Sequence, residues 1–442
     1  MADVTSKQYK VYITPKISEF AYGDEVQVDA EILFNGIKTM KKSIDSSDYE
    51  IGVYTYGDIA LKVDNKDGKY NDEMDKRSIF NYTRDLAKVR VDYSDNNGDV
   101  TRFRGLINEE ATKQDLDKKE VKFRVLSNDS VIRTTRVAGG LIPNGSLAST
   151  AVKNILNQTK ITSILNYSAS NIALERDFTI DNGSKLENKS SREALNQILT
   201  VSNSVLIIDS SDNIIVKPRD FNDISLLSLY GPYDLFNRQN ILGVKSYNNG
   251  RHRTFTSVKL AGYEVTDSAF AADYGYRQIE KEADFITNDI SKASLAQNIL
   301  DDFKAPRIEL ELTCPTHVVK DVNLLDPISL NYPLRIERYE SDFLPVIGIT
   351  KIDDADQRLP NTYGDIDIKP NVAFKIIETS ENPLRFETTL KLRQFGYYTD
   401  VFSSYVGFAV IGESVIGGTG DACAKWNPAV IGGGYLGCTK VG

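Results

Sequence analysis

The sequence predicts a mainly β chain of the α+β class, in which two β-rich regions flank a small helix-plus-hairpin insertion. Two patterns and the length carry this expectation. Short runs that alternate apolar and polar residues, or are rich in β-branched and aromatic types, recur through most of the chain. Helical spacing is confined to two stretches between Pro143 and Pro218 and one after Ser291. At 442 residues the chain exceeds the size at which one hydrophobic core stops growing, so two to four domains are expected.

From Val11 to about Arg136 the strand runs are Val26–Val28, Ile59–Val63, Val89–Tyr93, Thr101–Ile107 and Val121–Leu126, with turn residues such as Asp95, Asn96, Asn97 and Gly98 between them. This reads as an antiparallel sheet or barrel. Between Pro143 and Pro218 the character changes. Ala148–Gln158 places Ala151, Val152, Ile155 and Leu156 on one helical face, and Ser190–Val201 does the same with Ala194, Leu195, Ile198 and Leu199. Ser190 followed three residues later by Glu193 is a capping-box pattern. Val205–Ile208 and Asn213–Val216 then flank the polar turn Asp209–Asp212, which predicts a buried hairpin.

Strand signals resume at Ser257–Leu260. Ser291–Ala305 interrupts them as a helix, with Leu295, Ile299, Leu300 and Phe303 at helical spacing and Pro306 as its stop. Arg307–Leu312, Ile328–Leu330, Val346–Ile352, Phe374–Ile377 and Phe386–Leu392 follow as strands, without any fixed-period repeat. From Tyr397 the chain becomes Gly-dense, with Val410-Ile411-Gly412, Val415-Ile416-Gly417 and Val430-Ile431-Gly432 recurring. Such a stretch has too few side chains for a core of its own, so a partner surface is implied. The expected domains are 1–136, 137–220, 221–396 with its helix at 291–305, and the Gly-rich segment 397–442.

Composition excludes several classes. Hydrophobic residues at 41% and charged residues at 26% are the balance of a globular protein. No apolar run is long enough to span a bilayer, and the polar N-terminus lacks a secretory stretch, so synthesis in the cytoplasm is expected. A formal charge of −9 argues against gripping phosphates. Three cysteines cannot make a disulfide framework: Cys314 reads as a free buried thiol, and Cys423 and Cys438 either pair in an oxidising medium or stay unpaired.

Catalytic chemistry finds little to use. Only His252 and His317 are present, in unrelated contexts, so a Ser or Cys hydrolase lacks its base. His252 lies between two arginines and reads as a solvated basic turn. His317, three residues after Cys314, lacks the further ligands of a zinc site. None of the 62 acidic residues sits in a motif that singles out a glycosidase pair. Asp64-Asn65-Lys66-Asp67-Gly68 has some oxygen ligands of a calcium loop but the wrong spacing, with no Glu at position twelve, and reads as a strand-to-turn signal. No phosphate-binding glycine loop opens a helix, and neither cofactor nor metal is expected.

Ile59–Tyr70, a strand running into the turn Asp64, Asn65, Asp67, Gly68 and Tyr70, resembles a segment of phage tail hub proteins. Phe103-Arg104-Gly105-Leu106-Ile107 resembles that family's F-x-G-x-I strand, and Val121–Ser127 its barrel-closing strand. Glu193–Val216 is similar to the small inserted domain of hubs in contractile tails, siphophage tail tips and type VI secretion spikes. Arg307–Leu312, Leu324–Leu330 and Val346–Ile349 resemble the second barrel. The resemblance implies two tube-like antiparallel β-barrel domains per chain and a homotrimeric ring that adapts a sixfold tail tube to a spike, fibre or tip. The expected partners are tail-tube or distal tail proteins and spike, fibre or tape-measure proteins, with DNA passing the lumen unbound and no stable membrane anchor. The expected location is the virion, at the tail tip or baseplate, after assembly in the host cytoplasm. Many relatives in phages of Gram-positive hosts carry a long lytic or receptor-binding C-terminal extension, and this sequence ends at Gly442 without one, which argues against a wall-degrading role; with catalytic residues so scarce, no enzymatic activity is expected. The three copies of Val410–Gly434 are expected to meet near the axis and either plug the lumen or dock the next protein. A receptor- or carbohydrate-binding role, compatible with 23 tyrosines, is the alternative.

Overall fold

The computed structural model describes residues 7–44 except 20 and 38, 52–219, 240–304 except 249, 251 and 252, 307–329, 333–335, 365–367 and 373–394. In chain order its first strands are β1 (Gln8–Lys16), β2 (Val26–Gln27), β3 (Ile32–Ile37), β4 (Met40–Ile44), β5 (Gly52–Tyr56), β6 (Ile59–Asp64), β7 (Thr83–Asp95), β8 (Gly98–Asp115) and β9 (Glu120–Ser127). The insertion follows as α1 (Ser130–Thr134), β10 (Ser146–Leu147), α2 (Ala148–Leu156), α3 (Thr159–Thr162), β11 (Thr179–Ile180), α4 (Ser191–Val201), β12 (Ser204–Ile208) and β13 (Ile214–Pro218). The last part holds β14 (Gly243–Asn248), β15 (Ser257–Leu260), β16 (Tyr263–Thr266), α5 (Ser268–Tyr274), β17 (Gln278–Lys281) and α6 (Asp289–Phe303). It ends with β18 (Glu309–Pro315), β19 (Pro327–Ser329), β20 (Pro333–Arg335), β21 (Asp365–Asp367), β22 (Ala373–Asn382) and β23 (Glu387–Gln394). The architecture is mainly β with a minority of helix, the class that the sequence predicts.

Seven strands form a curled antiparallel sheet in the order β2-β1-β7-β8-β9-β6-β3. Alternation explains it: in β6, Ile59, Leu61 and Val63 are buried, and in the paired strand β9 their cross-strand partners Val125, Phe123 and Val121 line the same face and the same core. The polar residues between them take the other face, as in antiparallel sheets with one wet side. Gly105 in β8 has a steric reason to be glycine, since a Cβ there would lie 2.4 Å from the Leu126 carbonyl of β9.

The second sheet is assembled from distant segments, in the order β13-β12-β5-β4-β22-β23-β18-β14, with β19 on β22. The chain leaves the first sheet within a few residues, because Ile37 pairs with Leu61 while Met40 pairs with Glu381. Strand β12 is buried at every position, which a strand paired on both edges and covered on both faces requires. Its alternate residues enter two cores: Leu206 and Ile208 join the helical core, and Val205 and Ile207 join the core of the second sheet. A parallel pairing of β12 with β5 thereby fuses the hairpin of the insertion into the second sheet.

The helices follow their amphipathic design. Helix α4 begins where Ser190 accepts the Glu193 backbone N–H at 3.1 Å, the capping bond read from the sequence. Helix α6 starts two residues before the expected Ser291, because Asn288 caps it by accepting from Ile290 and Ser291. Its Leu295, Ile299, Leu300 and Phe303 share one core with α2 and α4 and with Val258, Leu260 and Ile279 of the small β16-β15-β17 sheet. The expected strand Val346–Ile352 and the residue Leu330 lie outside the described residues, as do Pro306 and His252.

Candidate functional site

The turn after β6 is organised by Asn65. Its Oδ1 accepts the Tyr70 N–H at 2.8 Å, its Nδ2 reaches Asn71 Oδ1 at 2.6 Å, and its backbone N–H donates to the Lys119 carbonyl at 2.7 Å. Gly68 closes the four-residue turn back to the Asn65 carbonyl at 3.1 Å with φ +80°, a conformation that favours glycine. Tyr70 is then fully buried, edge-on to Phe123 at 6.1 Å between centroids. Asp64 is bonded to Lys66 at 2.7 Å, and Asp67 accepts the Lys69 N–H at 3.0 Å. Three of the five motif residues therefore build the turn and its anchor, and the two carboxylates stay at the surface. Among the described residues no cluster of three or more His, Cys, Asp or Glu is placed to hold a metal ion. Asn65→Ala is expected to destabilise by about 1–3 kcal/mol, because the buried Tyr70 N–H loses its acceptor, and a shift of the urea midpoint measures it.

The two large sheets meet along a buried polar seam that sequence reading did not find. Arg102 of β8 reaches Glu381 of β22 at 2.7 Å through Nε and donates to the Lys320 carbonyl. The Tyr9 hydroxyl of β1 donates to the same Glu381, and the Lys320 ammonium bonds both oxygens of Asp95 at 2.8 and 2.9 Å. Arg102 is 6% exposed and Glu381 3%. Tyr9 stacks on Phe386 at 5.5 Å and meets Tyr93 edge-on. Burial, then the charge of Glu381, raises the Tyr9 hydroxyl above the usual phenol range. Burial opposes ionisation of Asp95, but the hydrogen bonds from Lys320 and the Asn97 N–H together with the Lys320 charge outweigh it, so its carboxyl sits below the ordinary range. Two cations and two carboxylates thus balance where the sheets touch. The only sequence trace of this seam is charged residues at strand positions, Arg102 and Glu381 among them, with 279 residues between the two.

Beside the seam lies a narrow cleft lined by Lys42, Tyr56, Arg104, Asn128, Asp129 and Asp212 among others. Tyr56 clamps it by bonding the Ile208 carbonyl and accepting the Ile208 N–H. Burial pushes the Asp129 carboxyl up to about 6, only partly opposed by the Ser127 hydroxyl and by Arg133 and Arg192. Burial likewise lowers Lys42 to about 8, with Arg102 adding to the effect. Such perturbed groups mark catalytic sites in some proteins and structural networks in others. The arrangement here joins β4, β5, β8 and the β12–β13 turn, and it is positioned as a brace.

Cys314 is a free thiol with no exposed surface, raised by burial to about 12. His317 Nδ1 lies 3.3 Å from the Lys7 ammonium, and burial followed by that charge lowers its pKa. Val410, Ile411, Gly412, Val415, Ile416, Gly417, Val430, Ile431 and Gly432 lie outside the described residues, as do Cys423 and Cys438.

The chain shares its fold with a tail protein from Neisseria meningitidis MC58, at a TM-score of 0.51 and 11% identity over 89% of this chain and 98% of that one. The 43 kDa tail protein of prophage MuSo2 from Shewanella oneidensis aligns at a TM-score of 0.47 and 11% identity, covering 88% of this chain and 97% of that one. A prophage tail protein from Listeria monocytogenes EGD-e aligns at 0.42 and 12% identity, covering 89% and 96%. The fold is thus that of the Neisseria tail protein, in keeping with the resemblance to tail hubs. No family model matches the sequence, and no curated protein matches it.

Proposed function

We propose that this chain is a structural component of a phage-type tail, acting as a hub at the distal end of the tail tube. The observation that carries this reading is the near full-length likeness to the tail protein from Neisseria meningitidis, which covers 89% of this chain and 98% of that one. In the proposed assembly three copies form a ring at the tail tip or baseplate that closes the tube and receives a spike, fibre or tip. DNA crosses the lumen without specific binding, and the role is mechanical. The buried seam supports such a role, because charge pairs held between two sheets fix their mutual orientation.

Mass photometry of the purified chain, or a map of the particle, tests the reading. A mass three times that of the chain and a position on the tail axis are expected, and a monomer placed away from the axis overturns it. Deleting Gly407–Gly442 is expected to leave the unfolding midpoint of the remainder unchanged while particles fail to complete their tips. Electron micrographs showing normal particles after that deletion would remove the Gly-rich segment from the assembly.

A further inference from the structure

Among the described residues from 7 to 127, every exposed large hydrophobic side chain stands at one end of the first sheet: Ile17, Met74, Tyr82, Leu86 and Leu116. Ile17 and Tyr82 flank the Lys16–Thr83 rung, the last one between β1 and β7. Leu86 follows in β7, where its carbonyl accepts the Tyr22 hydroxyl at 3.3 Å. Met74 lies in the connection from β6 to β7, and Leu116 at the tip of the β8–β9 hairpin. The opposite end of the sheet is taken up by the seam with the second sheet and by the bond from Arg104 to the Ser210 carbonyl of the insertion. We propose that the free end is the docking surface for a partner protein whose apolar sockets are rimmed by lysine and arginine side chains.

Met74 and Leu116 project furthest, at 86% and 77% exposed. Both are carried on a pinned framework. The Met74 N–H donates to Asp72 Oδ1 at 3.2 Å and the Lys118 N–H to Asp115 Oδ1 at 3.0 Å. Gln114 of the hairpin donates through Nε2 to Asn71 Oδ1 at 2.8 Å, which ties the two loops together. Hydrophobic groups gathered at one free end mark an interaction site, and loops already ordered lose less entropy when a partner covers them. The charges beside the two projecting groups give the chemistry of that partner. Glu73 and Asp75 bracket Met74 in the chain, and Asp115 and Asp117 bracket Leu116. Residues 64–77 and 109–120 together hold ten carboxylates against seven cations. A second copy of the same end, or an anionic lipid surface, would meet like charge there, whereas lysine and arginine around the sockets complement it.

The test uses the full chain in cells that make the particle, with the photocrosslinking amino acid benzoylphenylalanine at position 74 or at position 116 and sequencing of the crosslinked peptides. Only the source of the partner rests on reading the chain as a tail component. Both positions are expected to label one and the same protein, on peptides that carry lysine or arginine, and the same group at position 147, exposed on the insertion, is expected to leave that protein unlabelled. With the crosslinker at 74, Leu116→Asp alone and Glu73→Lys combined with Asp117→Lys are each expected to cut the labelling by at least about tenfold. The unfolding midpoints should stay unchanged, because all of these side chains are exposed. Labelling of another copy of this chain or of lipid, labelling of different proteins from the two positions, labelling that the variants retain in full, or no labelling at all overturns the proposal. A chain that forms trimers by mass photometry yet labels nothing removes the docking surface alone, and a monomer that labels one basic-rimmed partner removes the trimeric hub alone.

Discussion

Glu381→Ala is expected to lower the stability of the chain by about 3–5 kcal/mol, because it leaves the Arg102 guanidinium buried without its counter-charge. Arg102 and Glu381 are both nearly inaccessible to water and meet at 2.7 Å, so neither can be resolvated without parting the two sheets. The Tyr9 hydroxyl loses its acceptor in the same variant, which places the effect in the upper part of that range. Urea unfolding followed by tyrosine fluorescence measures it. Arg102→Met combined with Glu381→Leu is expected to recover most of the loss, since replacing a whole buried ion pair with apolar groups is often neutral. A Glu381→Ala effect below about 1 kcal/mol would mean that the pair is solvated as surface pairs are. The variant should also broaden the transition, because the seam couples two sheets that have separate cores.

Asp129→Asn is expected to act in the opposite direction and raise stability at pH 7 by about 1–3 kcal/mol. Burial holds the carboxyl at about 6 in the folded chain, against about 3.8 when it is exposed in the unfolded one. Between those values the folded state holds a proton that the unfolded chain has released, so stability falls as pH rises from about 4 to about 6. Above that window the whole cost of a buried charge is present, and below it the cost vanishes. Asparagine keeps the acceptor for the Ser127 hydroxyl and never ionises, so the variant should lose this slope. Thermal melts of both chains at several pH values check this, and parallel curves would show that Asp129 is not the titrating group. Lys42 gives a second, higher window, in which stability rises as pH increases from about 8 towards 10.5, since there the unfolded chain binds the extra proton.

The elements that sequence reading found share one property: their signals are local. Strand β6 alternates cleanly, α4 carries Ser190 three residues before Glu193, and the hairpin β12–β13 is two apolar runs around a polar turn. The turn at Asn65, Gly68 and Tyr70 was legible as a motif, although the work of Asn65 in it was not. Strands β16 and β17 and helix α5 went unseen because their exposed faces leave no hydrophobic period. Helix α6 was found two residues late, since its cap is a lone Asn288 without a capping-box partner.

By itself the sequence determined the β-dominant class, most strand positions after β6, the helix faces, the glycine-dependent turn and the scarcity of catalytic side chains. These follow from periods of two or 3.6 residues and from composition, which need no knowledge of distant neighbours. Only the tertiary structure decided that β4 and β5 leave the first sheet for the second, that α6 joins the core of the insertion, and that Arg102 finds Glu381. Pairing between strands far apart in the chain is set by which apolar faces can be covered together and which buried charges can be neutralised. That selection is made among all segments at once, and no single window of sequence records it.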